Sequence, residues 1–147
     1  MKNILVALEI VKGDETLVMQ ASEVASKFGA KVWIIHVAAP DPDFVGFDAG
    51  PAYIRKTLAD DLRVEHKAIQ QYAQELRDKN IDVEGLLVQG PTVETIFHEA
   101  EKLECDLLVL GSHKHGVLRR IFGDDVAHQV VNQSKIPMMI IPLGSAT

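Results

Sequence analysis

Residues 107–126 read Leu-Leu-Val-Leu-Gly-Ser-His-Lys-His-Gly-Val-Leu-Arg-Arg-Ile-Phe-Gly-Asp-Asp-Val. The stretch opens on four apolar residues, Leu107 to Leu110, and stops at Gly111. A run apolar on both faces belongs in a buried parallel strand rather than in a sheet with one wet face. Gly111 directly after it lets backbone approach a ligand closely. The loop that follows, Ser112 to Arg120, holds His113, Lys114, His115, Arg119 and Arg120. It passes Gly123 and enters a helix marked by Val126, Val130 and Val131. A loop feeding a helix N-terminus presents open N–H groups and partial positive charge, which suits an anion.

The same alternation extends outward in both directions. Ile4 to Leu8, Val32 to Val37, a weaker Val83 to Val88, and Met138 to Ile141 after Pro137 read as further strands. Between them lie helical faces. Asp14 is the expected cap of the first helix, which turns Leu17, Ala21, Val24, Ala25 and Phe28 inward and ends at Gly29. The second carries Leu58, Leu62, Ile69, Tyr72, Ala73 and Leu76 and ends at Asn80. Gly90-Pro91-Thr92 turns into a third with Val93, Ile96, Phe97, Ala100 and Leu103 inward. Five strands interleaved with four helices predict an α/β domain, with right-handed crossovers and helices on both faces of a parallel sheet. Only Pro40 to Pro51, rich in Pro, Gly and Asp, reads as a long loop.

The chain has 147 residues, 47% apolar and 24% charged, which predicts one domain over residues 1–147 with one core. Its net charge of -6, from 15 basic and 21 acidic residues, disfavours nucleic-acid backbones. Cys105 is the only cysteine, so no internal disulfide points to an oxidising compartment. It reads as an inert thiol. The opening apolar run is too short for a signal core or a membrane span. A cytoplasmic, membrane-free protein is expected.

Ligands of open α/β sheets bind beyond the carboxyl ends of the strands, where the strand order reverses. Those ends are Ala7-Leu8-Glu9, Val37-Ala38, Gly90-Pro91 and Gly111-Ser112-His113. At these residues the chain resembles the universal stress protein family. The resemblance runs through the opening strand, Ile34-Ile35-His36-Val37, Gly90-Pro91, Asp106 to His113, and the closing Ile136 to Pro142. It implies a five-stranded parallel sheet ordered 3-2-1-4-5, Rossmann-like and of the adenine nucleotide alpha hydrolase type. It also implies a homodimer paired through Met138 to Ile141. An adenine nucleotide would sit among Ala7, Leu8, Glu9, Val37, Gly90, Leu110, Gly111, Ser112, His113, Lys114, Asp125 and Val126.

The ATP-binding branch carries Gly, two residues, Gly, nine residues, then Gly and Ser or Thr. Gly111 matches the first glycine. Lys114 stands at the second, and Asp124-Asp125 at the closing pair, with Gly123 one place early. Glu9 stands where the family usually has Asp after the first strand. Lys114 does not turn as a glycine does, though its ammonium reaches a phosphate as a point charge. Asp124 or Asp125 would cap the N–H groups a triphosphate needs. Each close like-charge pair would oppose binding by about 1–4 kcal/mol, or about ten- to a thousand-fold, unless Mg2+ bridges the two. Weak or absent ATP binding is therefore expected, with a less charged mononucleotide such as AMP better accommodated.

Around these residues the plainer readings hold. His113 and His115 lack a third metal ligand and read as a polar loop. Arg119 and Arg120 read as surface ion pairs, Trp33 as packing, and His36 as a satisfied core or edge histidine. No nucleophile elbow, Gly-Lys-Ser/Thr loop or Cys-His pair marks a catalyst. The expected function is a dimeric regulator in stress response rather than an enzyme. A weak nucleotide hydrolase or phosphotransferase, and a ligand-free interaction module, are the alternatives.

Overall fold

The first strand of the chain lies at the centre of its sheet. In the computed structural model β1 (Asn3–Leu8) pairs in parallel with β2 (Lys31–Ala38) on one side and β4 (Leu107–Ser112) on the other. Outside them, β3 (Val83–Gln89) pairs with β2, and β5 (Met138–Pro142) with β4, both parallel. The order is 3-2-1-4-5, as the resemblance implies. The structure describes residues 1–10, 13–38, 52–90, 92–112 and 133–143, without the side chains of 52–59 and 92. The Pro40 to Pro51 loop and the last helix with Val126, Val130 and Val131 lie outside the described residues.

Two apolar layers sandwich the sheet. Ile4, Val6, Val32, Ile34 and Val109 face α1 (Asp14–Phe28) and α2 (Ala52–Asp78). Leu5, Ala7, Ile35, Leu108 and Leu110 face α3 (Thr92–Lys102). Alternate residues of each inner strand thus serve opposite cores, which is why Ile4 to Leu8 and Leu107 to Leu110 contain no polar interruption.

Helix α1 buries Leu17, Val18, Ala21 and Ala25, and Gly29 ends it in the left-handed region at φ 64. Two expectations are corrected here. Asp14 is not the cap: Gly13, at φ 106, holds that position, and its carbonyl accepts from Thr16 N–H at 3.0 Å. Asp14 is instead buried inside the first turn. Phe28 does not face the core but is 60% exposed. The helix ends at that residue, and buried Ala30 takes the core position below it.

Helix α2 buries Ile69, Ala73 and Leu76 and ends at Asp78, and Asn80 in the turn after it adopts φ 64. It lies unusually close to β3. A Cβ on Gly85 would stand 2.5 Å from Ile69 Cγ2, so this strand position admits only glycine beside that side chain. Gln70 Nε2–H donates to the Gly85 carbonyl at 3.2 Å and fixes the same approach.

At the amino ends of the strands, the Asp106 carboxylate accepts N–H bonds from Lys2 at 2.6 Å and Asn3 at 2.9 Å. Those bonds hold its pKa below the usual carboxylate value. Trp33 packs as expected, its Nε1–H donating to Asn3 Oδ1 and its ring lying 4.1 Å from Lys31 Nζ.

Candidate functional site

The strand order reverses between β1 and β4. The chain moves outward from β1 to β2 and β3, then crosses back to β4 on the other side of β1. The crevice of such a sheet opens at that reversal, beyond the carboxyl ends of the two strands. Ala7 is in register with Leu110 across it. Ala7, Val37 and Leu110 are buried on the α3 side of the sheet and Leu8 on the α1 and α2 side, so the strands end on apolar residues at this edge. Glu9 stands half-buried just past β1, and Ser112 is exposed at the end of β4. The fold therefore brings Ala7, Leu8, Glu9, Val37, Gly90, Leu110, Gly111 and Ser112 to one edge. His113, Lys114, Asp125 and Val126 lie outside the described residues.

The two glycines of this edge are there for packing within the chain. A Cβ on Gly111 would meet Leu143 Cδ1 at 2.5 Å and Leu17 Cδ2 at 3.7 Å. Leu143 also covers Gly13, and its N–H donates to the Ser112 carbonyl at 3.0 Å. The residue after β5 thus reaches across β4 to the turn that opens α1. Gly90, at φ 154, leaves room for the Thr95 hydroxyl, and its N–H donates to the Ala38 carbonyl at 3.3 Å. The close approach that the sequence assigns to a ligand at Gly111 is made by a leucine that no motif marks.

His36 is satisfied, as expected, and its partners are informative. Its Nδ1 lies 2.9 Å from the Leu8 carbonyl oxygen, and its Nε2 lies 3.4 Å from Glu65 Oε2 of α2. The β1 edge is thus tied through one imidazole to the long helix behind it. Sequence alone gave no sign of Glu65, because the tie joins residues on different elements.

Cys105 is buried, and burial, with Asp106 beside it, pushes its thiol up to about 11 from 9.0. Two units correspond to about 100-fold less thiolate at a given pH. Native protein at pH 8 is therefore expected to react with an aromatic disulfide reagent about 100-fold more slowly than the urea-unfolded chain. Equal rates in the two states would show an accessible thiolate.

A cavity of about 630 Å³ runs along α3, lined in part by Val93, Phe97, Glu101, Cys105, Lys135 and Ile136. It lies off the carboxyl edge of the sheet and shares none of the expected ligand residues. Among the described residues no His, Cys, Asp and Glu cluster could hold a metal ion, and no helix is long and apolar enough to cross a membrane.

Comparison with known proteins agrees with this architecture. The universal stress protein family matches residues 1–142 of the chain. A universal stress protein A homolog of Haemophilus influenzae is 29% identical over 144 residues, covering 97% of this chain and 96% of the relative. A universal stress protein family structure from Burkholderia pseudomallei superposes with a TM-score of 0.71 at 21% identity, covering 96% of each chain. The universal stress protein of Archaeoglobus fulgidus, solved in complex with dAMP, superposes with a TM-score of 0.65 at 18% identity, covering 96% of this chain and 98% of that one.

Proposed function

Since the chain belongs to the universal stress protein family, we propose that it is a non-catalytic stress-response regulator whose β1/β4 edge takes an adenine mononucleotide in preference to ATP. One observation carries this reading. The strands at the reversal point of the sheet end on the apolar Ala7, Val37 and Leu110, and half-buried Glu9 directly follows β1. Apolar strand ends suit a base, and a carboxylate at the first strand end suits the hydroxyls of a ribose. The dAMP complex of the Archaeoglobus fulgidus relative shows a mononucleotide bound to a protein of this fold. Lys114 offers one cation to one phosphate, while Asp124 and Asp125 oppose a longer chain of them.

The proposed assembly is a homodimer joined through β5. That strand is the outer edge of the sheet, it is apolar, and Ile140 is 36% exposed on it. An open apolar edge is a template for a second strand.

Isothermal titration of the whole chain with AMP, and with ATP plus Mg2+, tests the ligand. AMP is expected to bind at least about tenfold more tightly, the low end of the electrostatic penalty. A sub-micromolar dissociation constant for ATP would overturn the preference. Loss of AMP binding in Glu9→Ala, with the fold intact, would support the ribose contact.

A further inference from the structure

The turn that carries Glu9 is held at one end and strained at the other. Ile10 has φ 56. A β-branched residue rarely occupies the left-handed region, and such outliers persist only where neighbouring contacts impose them. Two residues earlier, the Leu8 carbonyl accepts from His36. A carbonyl cannot donate, so Nδ1 carries the hydrogen of that 2.9 Å contact. The other ring nitrogen, Nε2, then faces Glu65 Oε2 at 3.4 Å. That oxygen is shielded from solvent and makes no hydrogen bond among the described residues. With neutral His36 and ionised Glu65, two lone pairs face each other in a partly buried site. One proton placed between them satisfies both groups.

We propose that His36 and Glu65 share one proton and act as a latch on the β1 edge. With the proton in place, the imidazole bridges α2 to the Leu8 carbonyl and holds Glu9 and Ile10 in their observed conformation. Without it, the facing lone pairs repel, His36 withdraws from Leu8, and the strain at Ile10 relaxes. Among the described residues the charged group that meets His36 is Glu65 of α2, while its neighbours Arg63, His66 and Lys67 on that helix are exposed. From β3 the register partner of His36 is the apolar Leu87. His66 is directed elsewhere, its Nε2 lying 3.3 Å from Gln70 Nε2. As a property of the turn, the latch stands independently of any ligand. Its effect on a nucleoside bound at Glu9 rests on the function proposed above.

The test follows the backbone amide signals of Glu9 and Ile10 by NMR in the full chain between about pH 5 and 8, the range in which histidines change charge. In the wild type both signals are expected to move with the same midpoint as the His36 ring nitrogens. Two variants remove the shared proton and keep hydrogen bonding. In His36→Asn the side-chain amide nitrogen replaces Nδ1 as donor to Leu8. In Glu65→Gln an uncharged amide faces the ring. Both are expected to flatten the Glu9 and Ile10 titrations, and His66→Gln to leave them intact. Static signals in the wild type, or an unchanged midpoint in His36→Asn, would overturn the latch.

Adenosine, which does not titrate in this range, separates latch from ligand. Its affinity is expected to fall about fivefold from the low to the high end in the wild type, and to stay constant in His36→Asn. Movement of Glu9 and Ile10 with no AMP binding in the titration described above would keep the latch and overturn the mononucleotide reading.

Discussion

Gly85→Ala is expected to destabilise the protein by about 1–3 kcal/mol, the usual range for forcing a carbon into a filled core. The added Cβ would lie 2.5 Å from Ile69 Cγ2 and 3.5 Å from the Ile69 carbonyl oxygen. Ile69 cannot swing aside, because it is 0% exposed and branched at Cβ. Relief must come from moving α2 as a body, which disturbs Ala73 and Leu76 on the same face. The Gln70 bond to the Gly85 carbonyl would stretch with it. Urea denaturation of wild type, Gly85→Ala, Ile69→Ala and the double variant measures this. Ile69→Ala alone removes the Cγ2 methyl with the rest of the buried side chain and costs about 2–5 kcal/mol. In the double variant the two changes are expected to be less than additive, because the space left at residue 69 accommodates the new Cβ. Strict additivity would mean that the two residues are not in contact.

A second large effect is expected at Leu108. It is 0% exposed and lies in β4 between β1 and β5, facing α3. Leu108→Ala leaves a cavity that strands on both sides hinder from collapsing. A loss of about 2–5 kcal/mol follows, a large share of the roughly 5–15 kcal/mol that stabilises a domain. Phe28→Ala is the matched contrast. Its ring is larger, but at 60% exposure its removal is expected to change stability by less than about 0.5 kcal/mol. Thermal unfolding of the two variants side by side checks both, and similar melting temperatures would contradict the assignment of these positions.

The contrast also shows where the sequence was informative. The strands were legible because Ile4 to Leu8 and Leu107 to Leu110 serve two cores at once and so tolerate no polar residue. Helix faces were legible in their middles, at Leu17, Ala21, Ile69 and Ile96, where period alone decides. They failed at the ends. Whether Phe28 faces in or out depends on where the chain turns, and Gly29 turns it one residue later. Asp14 has a capping side chain, yet Gly13 already supplies the turn. Strand order came through the family resemblance, since periodicity carries no record of which strand neighbours which.

The site was legible as a place and illegible as a set of contacts. Strand ends and the reversal point locate Ala7, Glu9 and Leu110 from order alone. The contacts that shape the edge join His36 to Glu65 and Gly111 to Leu143, residues far apart in the chain with no shared spacing to reveal them. Gly85 carried a readable signal, since a glycine inside a strand marks a close approach. What approaches it could come only from three dimensions.

The central position of β1 has a consequence in time. Asn3 and its bonding partner Asp106 are 103 residues apart. At about 5–20 residues per second, a ribosome needs roughly 5–20 seconds to make the intervening chain. During that interval β2 and β3 can cover one side of the first strand, while its other side waits for β4. The central strand of the sheet is thus made long before one of its two neighbours and waits that long to be covered on both sides. In the cell, its exposure to chaperones and to neighbouring chains is set by the length of α2 and α3, not by the stability of the finished sheet.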